Sequence, residues 1–139
     1  MVVSVLVVAG VEGVAVNISE YMLSDHFRLR ELVPRLPYGN LTTTLTQLEV
    51  IRHNLGGKPI MVHSGYRSPE HNREVNGART SQHLYGLAVD ISVKGKTSFW
   101  LAGKLKAMQD DGLLIPGGLG TYQRHVHIDF RGKIVRWSG

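Results

Sequence analysis

The sequence contains no cysteine among its 139 residues. Disulfide bonds and thiolate metal ligands are therefore excluded, and any metal ion must be held by histidine, aspartate or glutamate. Long apolar runs are also missing. The longest, residues 1–10, is far shorter than the roughly 20 residues of a membrane-spanning helix. We therefore expect no membrane span.

The apolar N-terminal stretch has no lysine or arginine before it, as a signal peptide would. It is rich in valine, is interrupted by a glycine-containing turn at residues 10–13, and resumes at residues 14–16. Two β-prone runs around a glycine turn predict an N-terminal β-hairpin extension over residues 1–22. A cryptic export signal is the alternative, and the location of the protein stays unknown at this stage.

Lysine and arginine together number 16, against 11 acidic residues, which gives a formal net charge of +5. An anionic partner such as nucleic acid, a membrane surface or the bacterial wall fits this excess. The basic residues are scattered along the chain, and no run of them forms a nucleic-acid-binding arm. We therefore expect no nucleic-acid partner.

Helix and strand signals alternate over residues 23–139 without a repeat or a linker, which predicts one α+β domain. Helices are expected to begin at Ser24, at Thr43 or Thr44, at Ser68, and at Thr97 or Ser98. Strands are expected over residues 59–63, 87–92, 125–130 and 134–137. The glycine-rich stretch at residues 116–120 is predicted to be a loop.

The strand predicted over residues 125–130 has one polar and one apolar face. Because side chains alternate along a strand, His125, His127 and Asp129 share the face opposite Val126 and Ile128. A His-x-His pair of this kind can bind one metal ion. Taken alone, the pattern is more typical of a solvated polar face.

The strand predicted over residues 87–92 carries Asp90 between apolar neighbours, where a carboxylate is costly unless it is paired or coordinated. His83 precedes it by seven positions, and a tight turn at Gly86 can return His83 over the strand. An ion-paired Asp90 with an unrelated surface His83 is the alternative. Together, His83, Asp90 and His127 form a set of two nitrogens and one oxygen that leaves a fourth position for water, as in catalytic zinc sites.

Three segments resemble a known family. They are Ser81-Gln82-His83-Leu84-Tyr85-Gly86-Leu87-Ala88-Val89-Asp90, His125-Val126-His127 and Ser64-Gly65-Tyr66-Arg67. Their order and spacing resemble the zinc D-Ala-D-Ala carboxypeptidases of peptidase family M15, which are related to VanX dipeptidases, phage endolysins and the hedgehog signalling domain. The resemblance spans about residues 23–137. It implies a single zinc peptidase domain over residues 23–139, with an antiparallel sheet and helices packed on one side.

The resemblance also implies roles for single residues. It makes His83, Asp90 and His127 the ligands of one zinc ion per chain. It makes Arg67 the residue that holds the substrate near the scissile carbonyl, although a structural salt bridge is the alternative. Ser81 corresponds to a substrate-contacting serine, or it shapes the loop.

The proton acceptor is where the chain departs from part of this family. Dipeptidase and several endolysin members have an acid at the position of Arg124, which cannot accept a proton. Carboxypeptidase members have a histidine where this chain has His125, so we expect His125 to be the general base. Asp129 either orients a histidine or forms a salt bridge to Arg131 or Lys133.

The other histidines and the aromatic residues are not assigned to the metal site. No metal role is assigned to His26, His53, His63 or His71. Trp100 and Trp137 are predicted to be packing residues, and Tyr66 and Tyr122 are candidates for the wall of a cleft.

The predicted function is metal-assisted hydrolysis of peptide bonds in bacterial peptidoglycan peptides that contain D-alanine, by a monomer. Whether it is a carboxypeptidase or an endopeptidase is open, as is a bacterial or a phage lytic or virion origin. The site of action would be the cell wall or periplasm. One alternative is a catalytically inactive, zinc-stabilised module that binds the cell wall or a protein. The other is a basic protein that binds nucleic acid.

Overall fold

The chain alternates helices and strands over the part that the computed structural model describes, residues 36–139. The predicted hairpin over residues 1–22 and the helix beginning at Ser24 lie outside these residues. The elements, in chain order, are α1 (Tyr38–Asn54), β1 (Ile60–Ser64), α2 (Pro69–Glu74), a 3-10 turn (Gln82–Tyr85), β2 (Ala88–Val93), α3 (Ser98–Asp110), β3 (Gly118–Thr121), β4 (Val126–Asp129) and β5 (Val135–Ser138). The prediction of an α+β domain is confirmed.

The strands form one sheet in the order β1-β2-β4-β3-β5. Neighbouring strands are antiparallel except β3 and β5, which are parallel. The sheet is therefore antiparallel, as predicted, except at this edge, where two strands are parallel. Both sides of β4 are already occupied, by β2 and β3, and the following strand β5 joins the sheet at the edge of β3.

The predicted loop at residues 116–120 is also wrong in part, because Gly118 begins strand β3. Glycine has low β-propensity, so the sequence of β3 carries little strand signal of its own. Hydrogen-bonded pairing with β4 on one side and β5 on the other stabilises the extended backbone instead.

The hydrophobic core lies between one face of the sheet and the helices α1 and α3. The strands contribute every second residue, as the alternating pattern predicts. Buried members of this core include Leu48, Ile51, Leu55, Val89, Ile91, Leu101, Leu105, Val126 and Ile128. Each such side chain stabilises the fold by about 1.5–3 kcal/mol relative to exposure. None of the helices within residues 36–139 combines the length and apolar composition that a membrane crossing requires.

Helix starts follow local capping chemistry in two cases and depart from it in one. Ser68 accepts a hydrogen bond from the His71 N–H and Thr97 accepts one from the Trp100 N–H, as predicted. Helix α1, in contrast, begins at Tyr38 and not after Thr43 or Thr44. Thr44 lies inside this helix, and its hydroxyl donates to the Gly86 carbonyl, in a different part of the fold, at 2.7 Å.

Candidate metal centre

The face of the sheet opposite the core carries Asp90 and His127 side by side. Strands β2 and β4 are paired so that Asp90 lies directly across from His127. Their apolar neighbours Ile91 and Val126 are fully buried on the core side, so the two polar side chains must point the other way. The register of one strand pair therefore places a carboxylate next to an imidazole.

His83 reaches this pair from the 3-10 turn. The turn begins at Ser81, whose hydroxyl accepts a hydrogen bond from the His83 N–H at 3.3 Å. It ends at Gly86, whose φ of +72° is a left-handed conformation that favours glycine. The Gly86 carbonyl is in turn bound by Thr44 of α1. Capping at one end and anchoring at the other hold His83 over strand β2.

The three side chains converge on one point. His83 Nε2 lies 3.1 Å and His127 Nδ1 lies 3.2 Å from the same oxygen, Asp90 Oδ1. The three candidate ligand atoms lie within 4.8 Å of one another, and all three residues are buried. Ligand atoms around a tetrahedral zinc ion are about 3.3 Å apart, given zinc–ligand distances of about 2.0–2.1 Å. The spacing fits such an ion.

The outer nitrogens of both imidazoles are already engaged. His83 Nδ1 lies 2.7 Å from the Gly65 carbonyl oxygen, which can only accept, so this nitrogen carries a proton. His127 Nε2 lies 2.9 Å from Asp129 Oδ2 and donates to it. In the neutral imidazoles the two inner nitrogens therefore direct lone pairs at Asp90 Oδ1. Three acceptors that meet in a buried space require a cation or a proton between them.

Asp129 is fully buried and has several partners. It accepts hydrogen bonds from Arg131 Nε at 2.8 Å, from Arg131 Nη2 at 2.6 Å and from the Gly118 N–H at 2.8 Å. Burial raises the pKa of Asp129, but the bonds from Arg131 and His127 outweigh burial and hold the pKa well below its usual range. The structure thus places Asp129 against both His127 and Arg131, two partners that the sequence offered as alternatives.

The pKa values of Asp90 and His127 are also set by burial and by hydrogen bonds within the cluster. Burial raises the pKa of Asp90, yet hydrogen bonds with His127 and His83 outweigh burial and hold the pKa well below its usual range. Burial lowers the pKa of His127, while its bonds to Asp129 and Asp90 raise that pKa above its ordinary value. The carboxylate of Asp90 is therefore held in its ionised form, the form that can bind a metal ion.

Two further side chains surround the second oxygen of Asp90. Arg67 Nη2 lies 3.3 Å from Asp90 Oδ2, and Arg67 Nε donates to the Ser64 hydroxyl at 3.1 Å. His125 Nε2 lies 4.0 Å from the same Asp90 oxygen, and the His125 side chain is one-third exposed. Arg67 and His125 therefore lie beside Asp90 Oδ2, on the more exposed side of the cluster. The side chain of Arg124 is exposed.

Two aromatic residues at the site were not predicted as parts of it. The Trp137 ring lies 5.1 Å from the His127 ring, centroid to centroid, and the Tyr122 ring stacks on His125 at 4.7 Å. Trp137 was predicted to be a packing residue, and no spacing rule in the sequence links β5 to β4. Tyr122 was named only as a candidate for a cleft wall, a position compatible with its place beside His125.

Comparison with known proteins identifies the family. Residues 20–129 match the family model described as Peptidase M15. The chain belongs to the peptidase M15 family. A stretch of 89 residues is also 35% identical to a protein of Streptomyces albus G named zinc D-Ala-D-Ala carboxypeptidase. That match covers 64% of this chain and 34% of the relative, so the matched part spans about a third of the relative's length.

The family assignment confirms the resemblance drawn from the sequence motifs. Membership of a peptidase family, a relative named as a zinc enzyme and a buried cluster of His83, Asp90 and His127 together support a zinc peptidase. The donor set agrees with this metal, since imidazole nitrogen and carboxylate oxygen are common zinc ligands in catalytic sites. Within residues 36–139, this is the one group of three such residues close enough to share an ion.

Proposed function

We propose that this chain is a zinc-dependent peptidase that hydrolyses peptide bonds in bacterial peptidoglycan, at positions that contain D-alanine. The convergence of His83, Asp90 and His127 on one point carries the proposal. The D-alanine specificity draws its support from the sequence motifs and from the name of the Streptomyces relative. The proposal includes both a carboxypeptidase and an endopeptidase.

His83 Nε2, Asp90 Oδ1 and His127 Nδ1 would hold the zinc ion. When bound, zinc supplies Lewis-acid activation of the scissile carbonyl and of the attacking water. The chain contributes a fixed ligand geometry, because Gly65 and Asp129 hold the outer nitrogens of the two imidazoles. Rings fixed in this way do not need to reorganise when an ion enters.

Arg67 is proposed to stabilise negative charge on the substrate. A guanidinium carries five N–H donors, and Ser64 and Asp90 each engage one of them. Both contacts orient the guanidinium towards the cluster, where it can bind a developing oxyanion or a substrate carboxylate. The Arg67–Asp90 contact also has the form of the structural salt bridge considered above, and the two roles are compatible.

His125 is proposed to accept the proton of the attacking water at Nε2, the ring nitrogen that faces Asp90 Oδ2. Its partial exposure leaves it accessible to substrate and water. Ser81 is assigned to the substrate side through the sequence motif alone. Its observed contact, the cap on the His83 N–H, supports the role of shaping the loop.

The decisive experiment combines metal analysis with digestion of purified peptidoglycan fragments followed by mass spectrometry. We expect one zinc ion per chain and loss of terminal D-alanine or cleavage within a cross-link. The mass of the product distinguishes the two reactions. Zinc-loaded protein that leaves all fragments intact would contradict the proposal. Binding of peptidoglycan by such a protein would favour the inactive wall-binding module, whereas salt-sensitive DNA binding that survives chelation would favour a nucleic-acid-binding protein.

Three variants separate the proposed roles. His83→Ala should lose both zinc and turnover, whereas His53→Ala, which removes an exposed imidazole of α1, should keep both. His125→Ala should keep zinc and lose about 100- to 10,000-fold in turnover. Arg67→Met should keep zinc and lose about 100- to 1,000-fold. Light scattering of the same preparations checks the proposed monomer.

A further inference from the structure

A chain of aromatic contacts connects the proposed zinc ligand His127 to the proposed proton acceptor His125. The Trp137 ring lies against His127 at 5.1 Å between centroids. The Trp137 Nε1–H donates to the Tyr122 hydroxyl at 2.8 Å. The Tyr122 ring then stacks on the His125 imidazole at 4.7 Å, with the two planes only 13° apart. Two imidazoles with different proposed roles are thus joined through two aromatic side chains.

A glycine in strand β3 leaves space for the Trp137 side chain. Gly120 of β3 lies between His127 of β4 and Trp137 of β5 in the same row of the sheet. A Cβ atom at position 120 would collide with the indole ring of Trp137. Glycine at this position therefore lets the indole lie across β3 and reach the imidazole of the next strand.

The backbone around Tyr122 is held as well. The Tyr122 N–H donates to the His125 carbonyl at 3.0 Å, which closes the tight connection between β3 and β4. The Tyr122 carbonyl accepts a hydrogen bond from the hydroxyl of Ser98, at the start of α3. Tyr122 is thereby fixed both by its main chain and by its hydroxyl.

These contacts are not part of the hydrophobic core. Tyr122, His125 and Trp137 are all half-buried, and none belongs to the core cluster between the sheet and the helices. The parallel stack instead restricts rotation of the one-third-exposed His125 ring, which would otherwise be free to turn towards solvent. In the observed orientation, His125 Nε2 points at the open side of the cluster.

We infer that Tyr122 is a positioning residue whose ring fixes the His125 ring relative to the metal centre. The inference rests on the proposed function for the role of His125, but the geometric relationship can be measured separately. Tyr122 acts through His125 and has no assigned contact with substrate or metal. Misplacement of a catalytic group by about 1 Å can cost on the order of 100-fold in rate.

The test compares Tyr122→Leu, which removes the stack, with Tyr122→Phe, which keeps the ring and removes the hydroxyl. In the zinc-loaded protein, Tyr122→Leu should bind zinc as the wild type does and lower kcat about 10- to 100-fold, with little change in KM. Tyr122→Phe should keep most of kcat. Phe99→Leu, which removes an exposed aromatic ring of α3, is the matched control and should not change activity.

Two further readouts test the stacked contact and the positioning role separately. First, the ring proton resonances of His125 should move when the Tyr122 ring is removed in Tyr122→Leu, and should stay close to the wild-type positions in Tyr122→Phe. Second, Tyr122→Leu added to His125→Ala should cause less than about a twofold further loss, since both changes remove the same contribution. If Tyr122→Leu lowered the kcat of His125→Ala by the same factor as it lowers the wild-type kcat, the inference would be overturned.

Failure of the inference and failure of the proposed function give different results. If the wild type hydrolyses peptidoglycan fragments but Tyr122→Leu keeps full kcat, the positioning role is wrong and the function stands. If the wild type shows no hydrolysis, the proposed function fails, and the His125 resonances still test whether the Tyr122 ring stacks on His125. Unchanged His125 resonances in Tyr122→Leu would overturn the inference in either case.

Discussion

Asp129 Oδ2 lies 2.9 Å from His127 Nε2, the nitrogen that faces away from Asp90. A buried carboxylate in this position orients the ring and increases the basicity of the inner nitrogen. We therefore expect Asp129→Asn to weaken zinc binding by about 10- to 100-fold, as loss of such partners typically does. Competition with a chromophoric chelator measures the affinity.

The appropriate control for Asp129→Asn is Arg131→Gln, which removes the other partner of the same carboxylate. The His127–Asp129 contact survives this change, so zinc affinity should fall less. Both variants disrupt a buried ion pair, and circular dichroism must first show that each is folded. Equal losses of affinity in the two variants would mean that the ion pair matters and the orientation of His127 does not.

Zinc should stabilise the fold, because its proposed ligands come from three separate elements: the 3-10 turn, β2 and β4. A ligand that binds only the folded state at a concentration about 100-fold above its Kd adds about 2.7 kcal/mol. We expect thermal melts to shift upwards with zinc and downwards with a chelator. The melt of His83→Ala should respond to neither, and an equal response in that variant would place the stabilising ion elsewhere.

The parts of the site predicted from sequence are those set by local rules. Strand alternation separates His127 from Val126, and the glycine at position 86 allows the tight turn that returns His83 over the strand. The strand register that places Asp90 opposite His127 is not set by a local rule. It depends on which strands pair, so spacing alone could offer His83, Asp90 and His127 only as a candidate set.

The parts that were missed depend on contacts between segments distant in sequence. Strand β3 has a glycine-rich sequence and becomes a strand because β4 and β5 pair with it. Trp137 reaches His127 only because β5 runs parallel to β3 and Gly120 leaves room. Helix α1 begins before its threonines, and Thr44 instead binds a carbonyl 42 residues away. No local propensity contains this information.

Substitution of glycine by alanine should have opposite effects at positions 120 and 103. A Cβ atom at position 120 collides with the Trp137 indole, so Gly120→Ala should lower the free energy of unfolding by about 1–3 kcal/mol. A Cβ atom at position 103, in the middle of α3, has open space around it. Gly103→Ala should therefore raise stability by about 0.5–1 kcal/mol.

Urea denaturation monitored by circular dichroism measures both glycine variants. Tryptophan fluorescence of Gly120→Ala should change as well, because the indole of Trp137 must move away from His127. If Gly120→Ala had wild-type stability, the indole could shift at little cost, and the packing of Trp137 across β3 would not be tight.

The ionised carboxylate of Asp110, at the end of α3, should stabilise the fold by an amount that depends on pH. Hydrogen bonds from Lys106 at 2.9 Å and from Arg136 at 2.9 Å hold the pKa of the Asp110 carboxyl below its ordinary value. A carboxyl whose pKa is lower in the folded state stabilises the fold above its unfolded pKa, which is about 3.9. The contribution is lost as pH falls from about 5 through the folded pKa.

Asp110→Asn should therefore be slightly less stable than the wild type at pH 7, and the difference should shrink in acid, where Asp110 is also neutral. Asp111→Asn removes a charge from the same end of α3 without touching the Lys106 and Arg136 bonds, and serves as the control. Urea denaturation of the three proteins at several pH values from 7 down to about 2 measures the differences. Because these groups are exposed, added salt should reduce the effect of Asp110→Asn at pH 7. A difference that grows as pH falls would reverse the assigned sign and show that Asp110 does not stabilise the link between α3 and β5.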